Sequence, residues 1–207
     1  MTARIGRPTL DGMAPLRDID PTGLYHVMSR GNFRQQVFLD EDHYLRGVHY
    51  LDQASDRYGW MVLDWCFMPN HYHLVIQLTK GGLSEGMREL NGCFSRWSNS
   101  RTGRTGTGHV WKNRFRLLDV VREGHFWSLV RYVPLNPVVA DLTPMPDDWP
   151  WSGFRATAGI DYPYRFHRPA ELLRYFDARP DAALTSYRAF VDERLIQNDD
   201  LTWLDED

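Results

Sequence analysis

Cysteine is scarce in this chain: Cys66 and Cys93 are the only two in 207 residues. They lie too far apart for a metal knuckle and are too few for a disulfide framework, which excludes the small stapled scaffolds of secreted proteins. Long hydrophobic runs are missing as well. No window approaches the roughly 18 consecutive apolar residues of a membrane span, and Met1–Asp20 lacks the apolar core of a signal peptide. The expected location is a reducing cytoplasm, with no membrane partner. Strong net charge is also lacking, at −3, so overall charge does not advertise a nucleic-acid binder. No internal repeat or low-complexity tract interrupts the chain.

What is present is apolar and aromatic. Hydrophobic residues make up 43% of the chain, enough for one well-buried core at this length. Eight Trp, ten Tyr and ten Phe suit either packing or the stacking of bases. The charge is unevenly placed. Residues 171–207 hold ten acids against four arginines, a net of −6 that leaves about +3 for residues 1–170. Arg96, Arg101, Arg104, Lys112, Arg114 and Arg116 follow one another with no acid between them, a local basic patch hidden by the global balance.

Read in order, residues 1–20 form an irregular arm punctuated by Gly6, Pro8, Gly12 and Pro15. Leu24–Ser29 alternates as a first strand. Asp40 is an N-cap, with Glu41 and Asp42 in the first turn of a helix that runs to Tyr58-Gly59. Trp60–Phe67 and His71–Leu78 are two strands joined at Met68-Pro69-Asn70. Leu83, Met87, Leu90, Phe94 and Trp97 step by four and three, an amphipathic helix that ends before the glycines at 103, 106 and 108. Alternation predicts a fourth strand over Val110–Val121, with Lys112, Arg114 and Arg116 on one face. A helix over Gly124–Leu135 is expected to kink or unwind early at Pro134, which removes a donor and crowds the carbonyl of Val130. Short helices follow near 170–176 and 181–195. The domain reading is an arm over 1–20, a single domain over 21–158, and an acidic extension over 159–207 that is expected to be a solvated appendage or a self-masking element.

Within this frame His71 and His73 stand two apart in a strand and so share one face, close enough for both imidazoles to reach one cation. Tyr132 and Asn136 stand four apart on the later helix, on one face if the turn survives Pro134. Two imidazoles, an amide oxygen and a tyrosine suit metal-assisted nucleophilic attack on a phosphodiester, in which a phosphotyrosine conserves the energy of the broken strand. A lone His-x-His or a lone helical Tyr is more often plain packing; the combination carries the reading. An unrelated His-x-His metallohydrolase is disfavoured, because no second His or Asp-His cluster follows and Tyr132 and Asn136 would be left without a part.

The ordered blocks Tyr25-His26-Val27 with Ser29-Arg30-Gly31-Asn32, Met68-Pro69-Asn70-His71-Tyr72-His73-Leu74, Gly108-His109-Val110-Trp111 with Arg114-Phe115, Arg131-Tyr132-Val133-Pro134-Leu135-Asn136-Pro137-Val138, and Trp149-Pro150-Trp151-Ser152 resemble the single-tyrosine HUH transposase family. The pattern over residues 20–158 is most similar to its REP-associated tyrosine transposases. The resemblance implies an α+β fold: a central antiparallel sheet flanked by helices, ferredoxin-like or RRM-like, here with a C-terminal helical extension. It implies single-stranded DNA cleavage at the foot of a hairpin, with Mg²⁺ or Mn²⁺ as cofactor, leaving a 5′-phosphotyrosine and a 3′-OH. His71, His73 and Asn136 would then be metal ligands and Tyr132 the nucleophile, while Arg101, Arg104, Lys112, Arg114 and Arg116 would meet DNA. His26 and His109 are left with structural roles. One departure stands out: many relatives carry Arg-Ala-Gly where this chain has Val139-Ala140-Asp141. An alternative, a domesticated hairpin-DNA-binding protein without turnover, stays open, as do monomer and homodimer.

Overall fold

A computed structural model describes residues 19–106 and 108–196, with side chains up to Glu193. Most of the expected arm over 1–20 therefore lies outside the described residues. Four strands build one sheet: β1 (Leu24–Arg30), β2 (Met61–Met68), β3 (His71–Gln77) and β4 (Arg116–Asp119). Their order is β2-β3-β1-β4, and every neighbouring pair is antiparallel. With α1 (Glu41–Tyr58) between β1 and β2 and α2 (Leu83–Arg101) between β3 and β4, this is the split βαβ arrangement of ferredoxin-like folds. The α+β fold with a central antiparallel sheet and flanking helices is thus observed.

Local chemistry explains the helix bounds. The Asp40 carboxylate accepts from the backbone N–H of His43 at 3.0 Å, capping α1, and Gly59 closes that helix at φ 67°. On α2, Leu83, Met87, Leu90 and Phe94 form the buried stripe that the four-three spacing predicts.

Strand pleat sorts the sheet into two faces. Tyr25, Val27, Trp65, Phe67, Tyr72, Leu74 and Ile76 pack with α1 and α2 in one core. On that side Tyr72 donates to Asn91 at 2.6 Å and Asn91 donates on to Ser29 at 2.9 Å, stitching α2 to the sheet. The other face carries His26, Cys66, Met68, His71, His73 and Val75, following the register of the ladder. It is covered by α3 (Glu123–Val139), α4 (Phe154–Thr157), α5 (Pro169–Leu173) and α6 (Pro180–Ile196). Leu129, Val130 and Val133 of α3 meet Phe154, Leu172, Tyr187 and Val191 in a second core.

Three expectations need correction. The fourth strand is limited to Arg116–Asp119. Trp111 makes an isolated bridge to Gly31, while Lys112 and Arg114 lie exposed in irregular chain, so the three cations do not share a strand face. The catalytic-candidate helix does not break at Pro134 but runs on to Val139 through both Pro134 and Pro137. It is apolar and buried nearly all round, so tertiary packing sustains what local propensity would interrupt. The acidic extension, expected to be a solvated or self-masking appendage, instead completes the second core through Leu172, Tyr187 and Val191, all fully buried.

The Trp149–Ser152 block protects the sheet's β2 edge. Phe67 donates to the Trp151 carbonyl at 2.8 Å, Trp149 Nε1 donates to the Phe67 carbonyl at 3.0 Å, and Cys66 bridges Ser152. Cys66 and Cys93 are free thiols.

Candidate active site

The β2–β3 hairpin turns at Pro69-Asn70 and delivers His71 as the first residue of β3, with His73 two further along this central strand. Both rings point to the α3 face, and their centroids lie 4.9 Å apart, edge to face. The two imidazoles are held through their Nδ1 atoms. Asn70 Nδ2 donates to the Arg34 carbonyl at 3.4 Å, which fixes the amide's orientation and leaves Oδ1 as an acceptor 2.6 Å from His71 Nδ1. His71 Nδ1 must therefore be the donor, and the neutral ring carries its lone pair on Nε2. His73 Nδ1 lies 2.9 Å from His26 Nε2, and the two rings stack at 5.2 Å and 15°.

His26 is the residue that sequence reasoning left out. It is buried on β1, and only the cross-strand register, which sets it diagonally beside His73, reveals its part. Burial holds His26 neutral, down to about 3, with the charges of His125 and Arg116 acting in the same direction. His73 is likewise held neutral, chiefly by burial, then by His71, His26, Arg30 and Arg116. Two guanidiniums thus act on this centre. Arg30 is paired with His71 in the β1–β3 ladder, and Arg116 is paired with Met28, which also pairs with His73. Sequence reasoning placed Arg116 in a DNA-facing patch and assigned Arg30 no part.

Tyr132 of α3 is buried with its ring 5.3 Å from the His73 ring, at 87°. Asn136 follows one helical turn later on the same helix, also buried, and its Nδ2 has no hydrogen-bond partner. The continuous turn through Pro134 keeps the two residues on one face. At the end of this helix Asp141 has φ 53°. Asp tolerates the left-handed region better than most residues, which suits it to a helix terminus.

The other basic positions separate. Arg101 pairs with Asp42 at 2.8 Å and Asp40 at 3.2 Å and lies over the Trp97 ring, held against α1 and α2. Arg104 lines a groove beside the Asn32–Arg34 turn. Lys112 and Arg114 are exposed. Among the described residues, no three His, Cys, Asp or Glu side chains converge as a metal cluster. No helix of the described residues is long and apolar enough to cross a membrane.

A His-x-His on a central strand thus faces a tyrosine of α3 across one side of a ferredoxin-like sheet. Residues 22–135 match the sequence profile of the family described as "Transposase IS200 like". The chain belongs to that family of transposases. A solved structure of a REP-associated tyrosine transposase bound to a REP hairpin shares the fold, with TM-score 0.60 and 21% identity over 74% of this chain and 93% of that one. A provisionally assigned transposase from Deinococcus radiodurans R1 aligns with 19% identity and TM-score 0.41, over 63% of this chain and 98% of that one. No curated protein matches the chain.

Proposed function

We propose that this protein is a metal-dependent enzyme that nicks and rejoins single-stranded DNA beside hairpins during transposition, with Tyr132 as the nucleophile. The observation that carries the reading is the Tyr132 ring set edge-on to His73, with Asn136 one turn behind it. Family membership supports a transposase. The hairpin is bound by the REP-associated relative, and its extension to this chain is part of the proposal.

In the proposed step the Tyr132 oxygen forms a bond to phosphorus as the bond to the 3′ oxygen breaks. The phenol proton is released, and the departing 3′ oxygen takes one up. A 5′-phosphotyrosine and a 3′-OH result, and attack by a 3′-OH reverses the exchange. The count of phosphate ester bonds is unchanged, so no nucleotide need be hydrolysed.

The donor set fits a divalent cation such as Mg²⁺ or Mn²⁺. His71 and His73 have their Nδ1 atoms engaged by Asn70 and His26, the arrangement that orients ligating imidazoles. Asn136 is buried one turn from Tyr132; its unpartnered atom is the amide nitrogen Nδ2, and it is the other end of the amide, the oxygen, that would meet a hard cation. When bound, the cation supplies charge stabilisation at a phosphoryl oxygen. His71, His73 and Asn136 would hold it; Arg30 and Arg116 set a positive potential around the same face, favourable to a phosphate.

Hairpin-bearing single-stranded oligonucleotides with Mg²⁺ or Mn²⁺ test this directly. Wild type is expected to nick them and a chelator to stop it; His71→Ala and His73→Ala are expected to stay folded and lose the nick. Nicking by either variant at the wild-type rate would contradict the ligand assignment.

A further inference from the structure

The loop leaving β1 carries two features that the chemistry above does not use. Phe33 and Arg34 are consecutive non-glycine residues at φ 51° and 56°, and the Phe33 side chain is 92% exposed. A bulky residue in the left-handed region costs free energy and persists only where its surroundings impose it. Here the surroundings do. Asn32 donates to the Val110 carbonyl at 2.9 Å, Arg34 to Gly31 at 3.0 Å, Gln35 to Asn32 at 3.0 Å, and Val37 and Phe38 both to Pro69. A strained, pinned turn thus holds an aromatic ring out in water.

Beside that ring lies a cavity of about 270 Å³ between the turn, the end of α2 and the glycine-rich chain that follows it. Its polar lining consists mainly of uncharged side chains that can both donate and accept, Asn32, Gln35, Gln36 and Asn99, with Arg104 and His109 at one side. No carboxylate is among the described lining residues. Amides reading edges, an aromatic face to stack on and a nearby guanidinium are the recognition chemistry of an unpaired nucleobase. The turn is also tied to the reacting centre: Asn70 donates to the Arg34 carbonyl and accepts from His71, and Gly31 donates to the Asn70 carbonyl at 2.7 Å.

We propose that this groove binds one unpaired base of the single-stranded DNA flanking the hairpin, with Phe33 as the stacking face and the Asn32–Gln36 amides reading its edge. The inference rests on the single-stranded-DNA reading above and adds to it the place where sequence outside the hairpin is read. A base seated there lies one side chain, Asn70, away from His71. Discrimination between flanking bases then falls to the amides, whereas the ring contributes binding to any of them.

The test uses the full-length protein and fluorescently labelled hairpin oligonucleotides carrying short single-stranded flanks, each flank position in turn made abasic. Phe33→Ala, at an exposed position, should leave thermal unfolding unchanged. It should weaken binding of the intact flank about tenfold, as loss of one base–aromatic stack does. Its log–log salt slope should be unchanged, because no phosphate contact is removed. One abasic position should weaken wild type by a similar factor and Phe33→Ala no further; Phe33→Trp should restore binding. Wild-type affinity in Phe33→Ala, or losses that simply add at every flank position, would overturn the base pocket while leaving the transposase reading intact. Failure of wild type to bind any hairpin oligonucleotide would sink the DNA reading itself.

Discussion

Asn70 shows how much of this site is set by single atoms. Its amide cannot be turned without losing the bond to the Arg34 carbonyl, so its oxygen must face His71 and the imidazole must donate from Nδ1. Asn70→Ala is expected to leave the fold intact and raise the Mn²⁺ needed for half-maximal nicking about 10- to 100-fold, the usual effect of losing a group that orients a metal-ligating histidine. Asn70→Asp keeps an acceptor for Nδ1 and should hold the metal requirement near wild type. Equal loss in both variants would mean that Asn70 serves the turn and not the imidazole. At this scale the sequence was partly legible. His71, His73, Tyr132 and Asn136 stand at spacings that a strand and a helix convert into shared faces. His26 and Arg30 act across strands, and no spacing within one element can announce a neighbour 47 residues away.

At the scale of elements, α3 is held between the sheet and the C-terminal helices. Tyr187 and Val191 of α6 are fully buried against the apolar side of α3. Arg131, the residue before Tyr132, donates through Nε to the Phe190 carbonyl at 3.0 Å and lies 3.9 Å from that ring. A chain ending at Gly159 is therefore expected to lose cooperative thermal unfolding, read by circular dichroism, together with its nicking activity. Retention of a sharp transition would show that α3 does not need this layer. The net charge of −6 over residues 171–207 made the segment look like a solvated tail. Charge counts describe exposed faces and pass over the few apolar positions on a helix that decide burial. The long fourth strand failed for a related reason. The alternation of Trp111, Asn113 and Phe115 with three cations fits a strand pattern, yet Trp111 and Phe115 pack as anchors of an irregular connection. Pro134 misled in the opposite direction, because its cost is local and the packing that overrides it is not.

For the whole molecule, buried ionisable groups set the pH range of stability. Asp64 on β2 is fully buried, and burial pushes its carboxyl up to about 8, against the lowering effect of the Trp65 N–H it accepts from. The folded state keeps a proton that the unfolded chain releases above the ordinary carboxylate value of 3.8, so stability falls as pH rises between there and about 8. His26 and His167 are pulled down by burial to about 3 and about 4. The unfolded chain gains protons below 6.5 that these rings refuse, so stability falls as pH drops through that range. Maximal stability is expected near pH 6.5, with a decline of about 1.4 kcal/mol per pH unit on the alkaline side from the single Asp64 proton. Asp64→Asn keeps an oxygen for the Trp65 N–H and should flatten that limb while leaving the acid limb in place. Denaturant titrations at a series of pH values read both limbs; an unchanged alkaline decline in the variant would place its origin elsewhere.

The claim on which the rest depends is that Tyr132 becomes covalently joined to DNA. Tyr132→Phe removes one oxygen and keeps the ring packed beside His73, so stability and hairpin affinity should stay near wild type. The decisive measurement is a denaturing gel of protein incubated with a 3′-labelled hairpin oligonucleotide and Mn²⁺. Wild type is expected to carry the label as a protein–DNA band that survives denaturation, and Tyr132→Phe to carry none. A labelled band of wild-type intensity in Tyr132→Phe, or no band in wild type under conditions where it nicks, would contradict the account.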